Sequence, residues 1–548
     1  MTDDPAVKRS HSISTFNYLH LDADKVLSAF GKYGRYQMLT YFITTSVQML
    51  FSINMMVMPF IVKPAEFKCE FPDNSNWIYT RYENDQCFVM DGNNWTVTCK
   101  QIPGHRYVYN ESQSLMAAEF DLVCDDASSI DHSSSIFLLG GMLVSPIITQ
   151  LSDSFGRRLT FLMPLYVAVF SNIVCAVSPT YTIFLIFRFL SGVATTSFSM
   201  IGYVLCMESV ALEFRSLIPL LGTITWVAGY MLAGILHVFI PNWRWLYFAV
   251  SVPGILTIPF YWFTPESLHW MITNKKGKRV RKFIATCEEF NKKPISLPEC
   301  KSEADFSKIE SVKRNAVDIF LNPTIMFHLF INAYILIVMN GTYWALSLFS
   351  NELSEDEMLG YFLSGFVELP AGLFSVLLLL IFDRKTVSIV SLFLTSVFMC
   401  CALYFPSTPN INMIFSLLAK CTNSIVWSSQ VLLYTESIPT SIRNVFCGIV
   451  AFLGDIGSVA APYLKRLEAI DKNAPQLCIA ILSFIAAVCV IVLPETKGRK
   501  LPEDIHDFDA GPLLRRFRRP PTPSISLQNE EAAVPLQNPE DIEKQNST

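Results

Sequence analysis

The chain has 548 residues, 51% of them hydrophobic and only 16% charged, with a net charge of −5. That composition is too apolar for a string of ordinary soluble domains. The small net charge identifies no partner, because in a membrane protein charges are distributed by side of the bilayer; no nucleic acid is expected as one.

The first 36 residues are polar, and no cleavable signal peptide is visible, since the first apolar run is itself long enough to span a bilayer. Runs of about 20 apolar residues, the length a crossing helix needs, begin near Gln37, Ser134, Leu159, Thr180, Leu217 and Leu246. After a polar stretch, six more begin near Thr324, Leu359, Val387, Asn412, Val445 and Gln476. The reading is an all-α membrane protein of twelve spans in two halves, 37–271 and 324–498. The joining segment 272–323 carries Lys275, Lys276, Lys278, Arg279, Arg281 and Lys282, and the positive-inside rule places it in the cytoplasm. An even number of spans separates it from either terminus, so 1–36 and the tail 499–548 are expected there too.

The stretch 63–133 between spans one and two is rich in Asp and Glu and falls outside. It holds Cys69, Cys87, Cys99 and Cys124, an even set in an oxidising compartment. Two disulfides follow, in any of three connectivities. Asn94-Trp95-Thr96 and Asn110-Glu111-Ser112 are glycosylation acceptors on that same side. The other ten cysteines lack metal-ligand spacing and read as small apolar fillers. Beyond about residue 507 the tail is rich in Pro, Glu, Asn and Ser and is expected to be disordered. Its Arg515, Arg516, Arg518 and Arg519 form either a solvated basic patch or a hold on anionic lipid.

Three charged motifs occur twice at nearly one interval. Asp153-Ser154-Phe155-Gly156-Arg157-Arg158 returns as Asp383-Arg384-Lys385, 230 positions on. Glu208 with Arg215 returns as Glu436 with Arg443, 228 on, and Pro265-Glu266-Ser267 as Pro494-Glu495-Thr496, 229 on. Each closes an apolar run, so two copies of one membrane unit are joined in parallel, as in secondary transporters with a site between the halves. An Asp beside arginines at a helix end is suited to a charge network that latches the halves on the cytoplasmic side, and Glu208/Arg215 and Glu436/Arg443 read as the same device. The plainer alternative is an orientation signal.

Charges deep in apolar runs carry more information, because each costs several kcal/mol unless paired or wet. Arg188, Glu368, Lys420 and Asp455 are of this kind. Asp455, in Gly454-Asp455-Ile456-Gly457, presents a carboxylate either to a cationic substrate or to an internal partner such as Lys420. Tyr203, Tyr343, Trp344 and Trp427 are candidates to complete a cation site with aromatic faces. His328 is a proton relay or a hydrogen-bonded packing residue. Asn340-Gly341-Thr342 matches the glycosylation pattern but falls within span seven.

From Gly31 to Asp507 the chain resembles the organic cation, anion and zwitterion transporters of the major facilitator superfamily. The resemblance is carried by Glu119-Phe120-Asp121-Leu122-Val123-Cys124-Asp125, Arg188-Phe189-Leu190, Trp243-Arg244-Trp245-Leu246 and Pro265-Glu266-Ser267. In the second half it rests on Glu368-Leu369-Pro370-Ala371, Tyr434-Thr435-Glu436, and Leu493-Pro494-Glu495-Thr496-Lys497-Gly498. It implies that fold, with two six-helix bundles around a central cavity, and potential-driven transport without ATP. Asp455 stands where the cation branch carries an acid and the anion branch an Arg, and Tyr203 and Glu368 match positions implicated in the cation branch. The chain departs from the pattern at Thr149, Ser154, Leu268-His269, Ala345 and Phe446. The expected function is transport of small organic cations at the plasma membrane, with anion or carnitine-like zwitterion transport as the alternative; Lys420 and Arg188 are suited to an anion. A receptor using the outer loop, the same loop that would serve a homo-oligomer, is a further alternative, against which the paired motifs argue. No enzyme, cofactor or metal site is expected, for there is no nucleotide loop, metal cluster or nucleophile–base spacing.

Overall fold

Each apolar run becomes a long helix, because a segment in hydrocarbon must satisfy its backbone N–H and C=O groups within itself. In this computed structural model the described residues are 21–70, 87–90, 96–101, 104–109, 114–215, 217–292, 317–350, 354, 356–404, 409–499, 501–502, 505 and 508–514. Spans one to six are Arg35–Ile61, Cys124–Phe155, Arg157–Val177, Tyr181–Ser209, Ile218–Phe239 and Trp243–Phe263. Seven to nine are Pro323–Leu348, Glu357–Ile381 and Arg384–Tyr404; eleven and twelve are Arg443–Ala469 and Ala474–Val492. These eleven qualify as membrane-crossing by length and hydropathy. The tenth, Pro409–Ser437, is a 29-residue helix that falls short on hydropathy and carries Lys420. Span starts lie within a few residues of those expected, except that the helix of span two already begins at Ser128.

The repeat visible in the motifs is also a repeat of packing. Span three lies along span four, two along four, six along three and five along one; in the second half nine lies along ten, eight along ten, twelve along nine and eleven along seven. The halves meet along two seams, span two against eleven and span five against eight. Small residues set the closest approaches, as is usual where lipid supplies no hydrophobic drive between helices. A Cβ at Gly457 would overlap the backbone carbonyl of Ile337 across the seven–eleven contact, and one at Gly192 would overlap the carbonyl of Phe137 across two–four.

Pro370 lacks the N–H that would bond back to Phe366, and span eight is accordingly two helices, Glu357–Phe366 and Glu368–Ile381, hinged at Val367. Glu368 therefore sits in the first turn of a 14-residue helix, where the positive end of the backbone dipole favours a carboxylate.

At one end of the bundle, strand β1 (Phe67–Glu70) pairs antiparallel with β4 (Arg106–Tyr109), and β2 (Phe88–Met90) with β3 (Thr96–Thr98). The structure joins Cys69 to Cys99 and Cys87 to Cys124, one of the three connectivities open from spacing. Asn94 and Asn110 lie outside the described residues, as do Arg515, Arg516, Arg518 and Arg519. At the opposite end, Ala23–Ala29 packs Val26 and Leu27 against Leu268, Val280 and Ile284 of two short helices. The tail is not wholly free of structure: Phe508 and Ala510 are buried against the second half, and the Ala510 carbonyl meets His328 Nε2 at 3.1 Å. His328 is thus a packing anchor for that segment, the plainer of its two readings.

Gly457→Val should destabilise the protein by about 3 kcal/mol or more, since backbone rather than a flexible side chain blocks the new atoms. Gly448→Ala, with nothing within 4 Å of the added Cβ, should change stability by less than about 1 kcal/mol. Thermal unfolding of the detergent-solubilised variants, followed by size-exclusion, separates the two.

Candidate functional site

A cavity of about 710 Å³ lies between the halves. Six of the seven residues expected to bind substrate line it: Tyr203, Tyr343, Trp344, Glu368, Trp427 and Asp455. The seventh, Lys420, stands behind Glu368. A smaller cavity, sharing Gln48, Tyr203 and Gly222 with the first, continues past Tyr41, Cys206 and Ile218 toward the end that bears the paired motifs.

At the end bearing the disulfide-bonded loop, the two seams are closed by polar contacts. Along spans five and eight, Tyr361 Oη donates at 2.9 Å to the Met56 carbonyl or at 3.0 Å to that of Tyr230. Further out, Lys63 Nζ meets Glu357 Oε1 at 2.5 Å. Along spans two and eleven, Ser135 Oγ donates to the Val459 carbonyl at 2.9 Å, His132 Nδ1 meets Tyr463 Oη at 2.7 Å, and Arg466 Nε pairs with Asp131 at 2.8 Å.

The charges inside the cavity are unequal. Lys420, 1% exposed, holds Glu368 Oε1 at 3.0 Å and donates to Ser364 Oγ at 2.8 Å. Its ammonium also stands 4.9 Å from the ring centre of Tyr230 and 5.4 Å from that of Tyr343. Tyr343 Oη donates to Glu368 Oε1 at 3.0 Å, and Trp226 Nε1 donates to Oε2 at 2.8 Å. A buried charge is tolerated in this setting because its partner and the remaining acceptors are satisfied together. Asp455 is different. Among the described residues it forms no ion pair, and its hydrogen bond is a long one from Asn340 Nδ2 at 3.5 Å. Of the two alternatives for Asp455, the internal pair with Lys420 is therefore not formed: the partner of Lys420 is Glu368, turned toward span ten by the break at Val367. Arg188, 2% exposed, lies off the cavity, its guanidinium 4.2 Å from the Phe137 ring centre and 5.5 Å from that of Tyr247.

The motifs form matched networks, each within one half. Arg157 joins Asp153 at 2.8 Å and Glu208 at 3.1 Å. Glu266 Oε1 accepts the backbone N–H groups of Arg157 and Arg158 at 2.8 and 3.1 Å, capping the start of span three. Gly156, at φ +101°, makes the turn there, and a Cβ would press on that carboxylate. Arg158 reaches the carbonyl of Tyr261. In the second half Arg384 pairs with Glu436 at 2.8 Å, Glu495 accepts the N–H of Lys385 at 3.0 Å, and Lys385 Nζ reaches the carbonyl of Ile491 at 2.7 Å. The equivalents are thus Arg157-Arg158 and Arg384-Lys385. Asp383 does not repeat Asp153: it is exposed and has no ion pair among the described residues.

The two Glu–Arg pairs spaced by seven residues do not close on themselves. Arg215 binds Asp24 at 2.6 Å and meets His269 Nε2 at 3.3 Å, which gives the unusual His269 a local role beside the N-terminal segment. Arg443 donates to the carbonyl of Ile438. Among the described residues, no ion pair of these motifs crosses between the halves in this conformation.

Trp226 escaped the sequence reading. It stands in the uncharged run Ile218–Phe239, where no charge or small-residue pattern sets one aromatic apart.

Lys420→Met should leave Glu368 buried without its counter-charge and destabilise the protein by about 3–5 kcal/mol. Adding Glu368→Gln to that variant should restore most of the loss, as thermal unfolding of the purified single and double variants will show.

Comparison with known proteins accords with this architecture. The Sugar (and other) transporter family matches residues 35–507. Solute carrier family 22 member 2 of Rattus norvegicus is 30% identical over 437 residues, covering 79% of this chain and 78% of that protein. The organic cation transporter protein of Drosophila melanogaster is 25% identical over 542 residues, covering 92% and 96%. The inward open structure of the xylose transporter XylE from E. coli superposes with a TM-score of 0.57 at 15% identity, over 85% of this chain and 98% of that one; at that identity the likeness is one of fold.

Proposed function

This chain belongs to the Sugar (and other) transporter family of the major facilitator superfamily, among the organic cation, anion and zwitterion carriers, and on that premise we propose that it moves small organic cations across the plasma membrane by alternating access. It is a multi-pass membrane transporter of small molecules and not an enzyme. The observation that carries the cation reading is Asp455, a carboxylate without a counter-charge in a cavity whose other acid is neutralised by Lys420. Trp344, Trp427 and Tyr203 offer aromatic faces to a quaternary or protonated amine in the same space. An anion carrier would instead need an uncompensated cation on the cavity wall; Lys420 is paired and Arg188 lies elsewhere.

In this reading the disulfide-bonded loop faces outside, both termini and the motif end face the cytoplasm, and the conformation is inward-facing. The Arg157 and Arg384 networks brace the ends of the helices in each half, so that each half rocks as a body. The seams at Lys63–Glu357 and Asp131–Arg466 break when the outer side opens. Uptake is driven by the membrane potential, which contributes about 2.3 kcal/mol per charge per 100 mV.

Cells expressing the chain should take up labelled tetraethylammonium saturably, and depolarisation should slow it. Asp455→Asn should lower uptake kcat/KM by about tenfold or more, the scale of one charge-assisted contact. Uptake indifferent to Asp455→Asn, or saturable uptake of a labelled aromatic carboxylate in place of the cation, would contradict the proposal.

A further inference from the structure

Glu368 is the second carboxylate on the cavity wall, and its two oxygens are held differently. Oε1 belongs to its own half: Lys420 Nζ and Tyr343 Oη both reach it at 3.0 Å. Oε2 is held from the other half, by the indole N–H of Trp226 at 2.8 Å. The same N–H lies 3.1 Å from Tyr343 Oη, so the indole is fixed between two groups of the second half. Trp226 itself lines the cavity beside Glu368. With the indole in place, Oε2 has a donor and the charge has Lys420, which leaves Asp455 as the carboxylate open to a ligand.

We infer that Trp226 is a specificity-determining residue, which by occupying Oε2 of Glu368 restricts the cavity to substrates with one positive centre. The inference rests on the cation-carrier reading above. Its physical content is that a neutral N–H, donated across the seam, takes the position a second ammonium group would need. Phenylalanine at this position keeps a ring against the cavity but has no donor. Oε2 then turns to the cavity as an acceptor for a second cationic or N–H-bearing group, at a separation from Asp455 set by the cavity walls. Substrates with a single charge gain nothing from it.

The test compares tetraethylammonium with the bis-quaternary hexamethonium, each as a competitor of labelled tetraethylammonium uptake, in the full chain at the cell surface. Trp226→Phe should lower the inhibition constant of hexamethonium relative to that of tetraethylammonium by about threefold or more, the scale of one added charge-assisted contact in a wet site. The shift should vanish in a Lys420→Met/Glu368→Gln background, where the freed oxygen carries no charge and no buried charge is left unpaired. Tyr343→Phe removes a donor from Oε1, where Lys420 remains, and should move the two constants together. A Trp226→Phe effect that is equal for both cations, or that persists with Lys420→Met/Glu368→Gln, or that Tyr343→Phe reproduces, overturns the inference and leaves the transport reading standing. Absence of saturable tetraethylammonium uptake by the unsubstituted chain removes both.

Discussion

An ammonium and a carboxylate, both nearly shut off from water, face each other in the middle of a bundle built to sit in hydrocarbon, and much of the cavity follows from keeping them together. Lys420 and Glu368 meet at 3.0 Å with 1% and 6% of their surfaces exposed. Neither charge would survive there alone. The pair explains why span ten falls short of the hydropathy of its neighbours, and why span eight is broken where Pro370 lets Glu368 stand at a helix start. It also explains the ring of Tyr230, Tyr343, Ser364 and Trp226 around it, whose hydroxyls and indole satisfy what the ion pair leaves over. Because Tyr230 and Trp226 come from the first half, the pair ties the two bundles together beside the cavity. With one acid neutralised, the proposed function rests on the other, Asp455.

The rest of the molecule divides labour by symmetry. Each half carries the same strut, Arg157–Glu208–Glu266 and Arg384–Glu436–Glu495, joining the ends of three spans, with no ion pair to the other half among the described residues. The contacts that do cross lie along two seams related by the same repeat. In the proposed cycle, a rigid half with weak, wet contacts at its rim is the part that rocks. Most rim pairs are partly exposed, Lys63–Glu357 among them, and such pairs contribute about 1 kcal/mol or less each, so in the proposed cycle they can break without unfolding either half.

Much of this was legible in one dimension. Span boundaries follow from hydropathy and from Lys and Arg at helix ends, and the internal repeat was visible as motif spacing, because both are local properties of the chain. The facing of helices is not local. That Lys420 points to Glu368 and not to Asp455 depends on a turn of span eight at Val367, and that Arg215 meets Asp24 depends on an N-terminal helix docking far along the chain. Alignment of the motifs on Asp153 and Asp383 was off by a few positions, since the working equivalence is between arginines that cap the same helix ends. Trp226 carried no mark at all: an indole in an apolar run looks like lipid-facing bulk until the carboxylate opposite is placed.

The central claim is that the cavity holds one uncompensated negative charge, at Asp455, while Glu368 stays with Lys420 through substrate binding. The most direct measurement is an experimental map of the full chain in lipid nanodiscs with tetraethylammonium bound. The account predicts ligand density between the Asp455 carboxylate and the Trp344 and Trp427 rings, with Lys420 still on Glu368. Density lying between Lys420 and Glu368, with that pair separated and Asp455 bare, would contradict it.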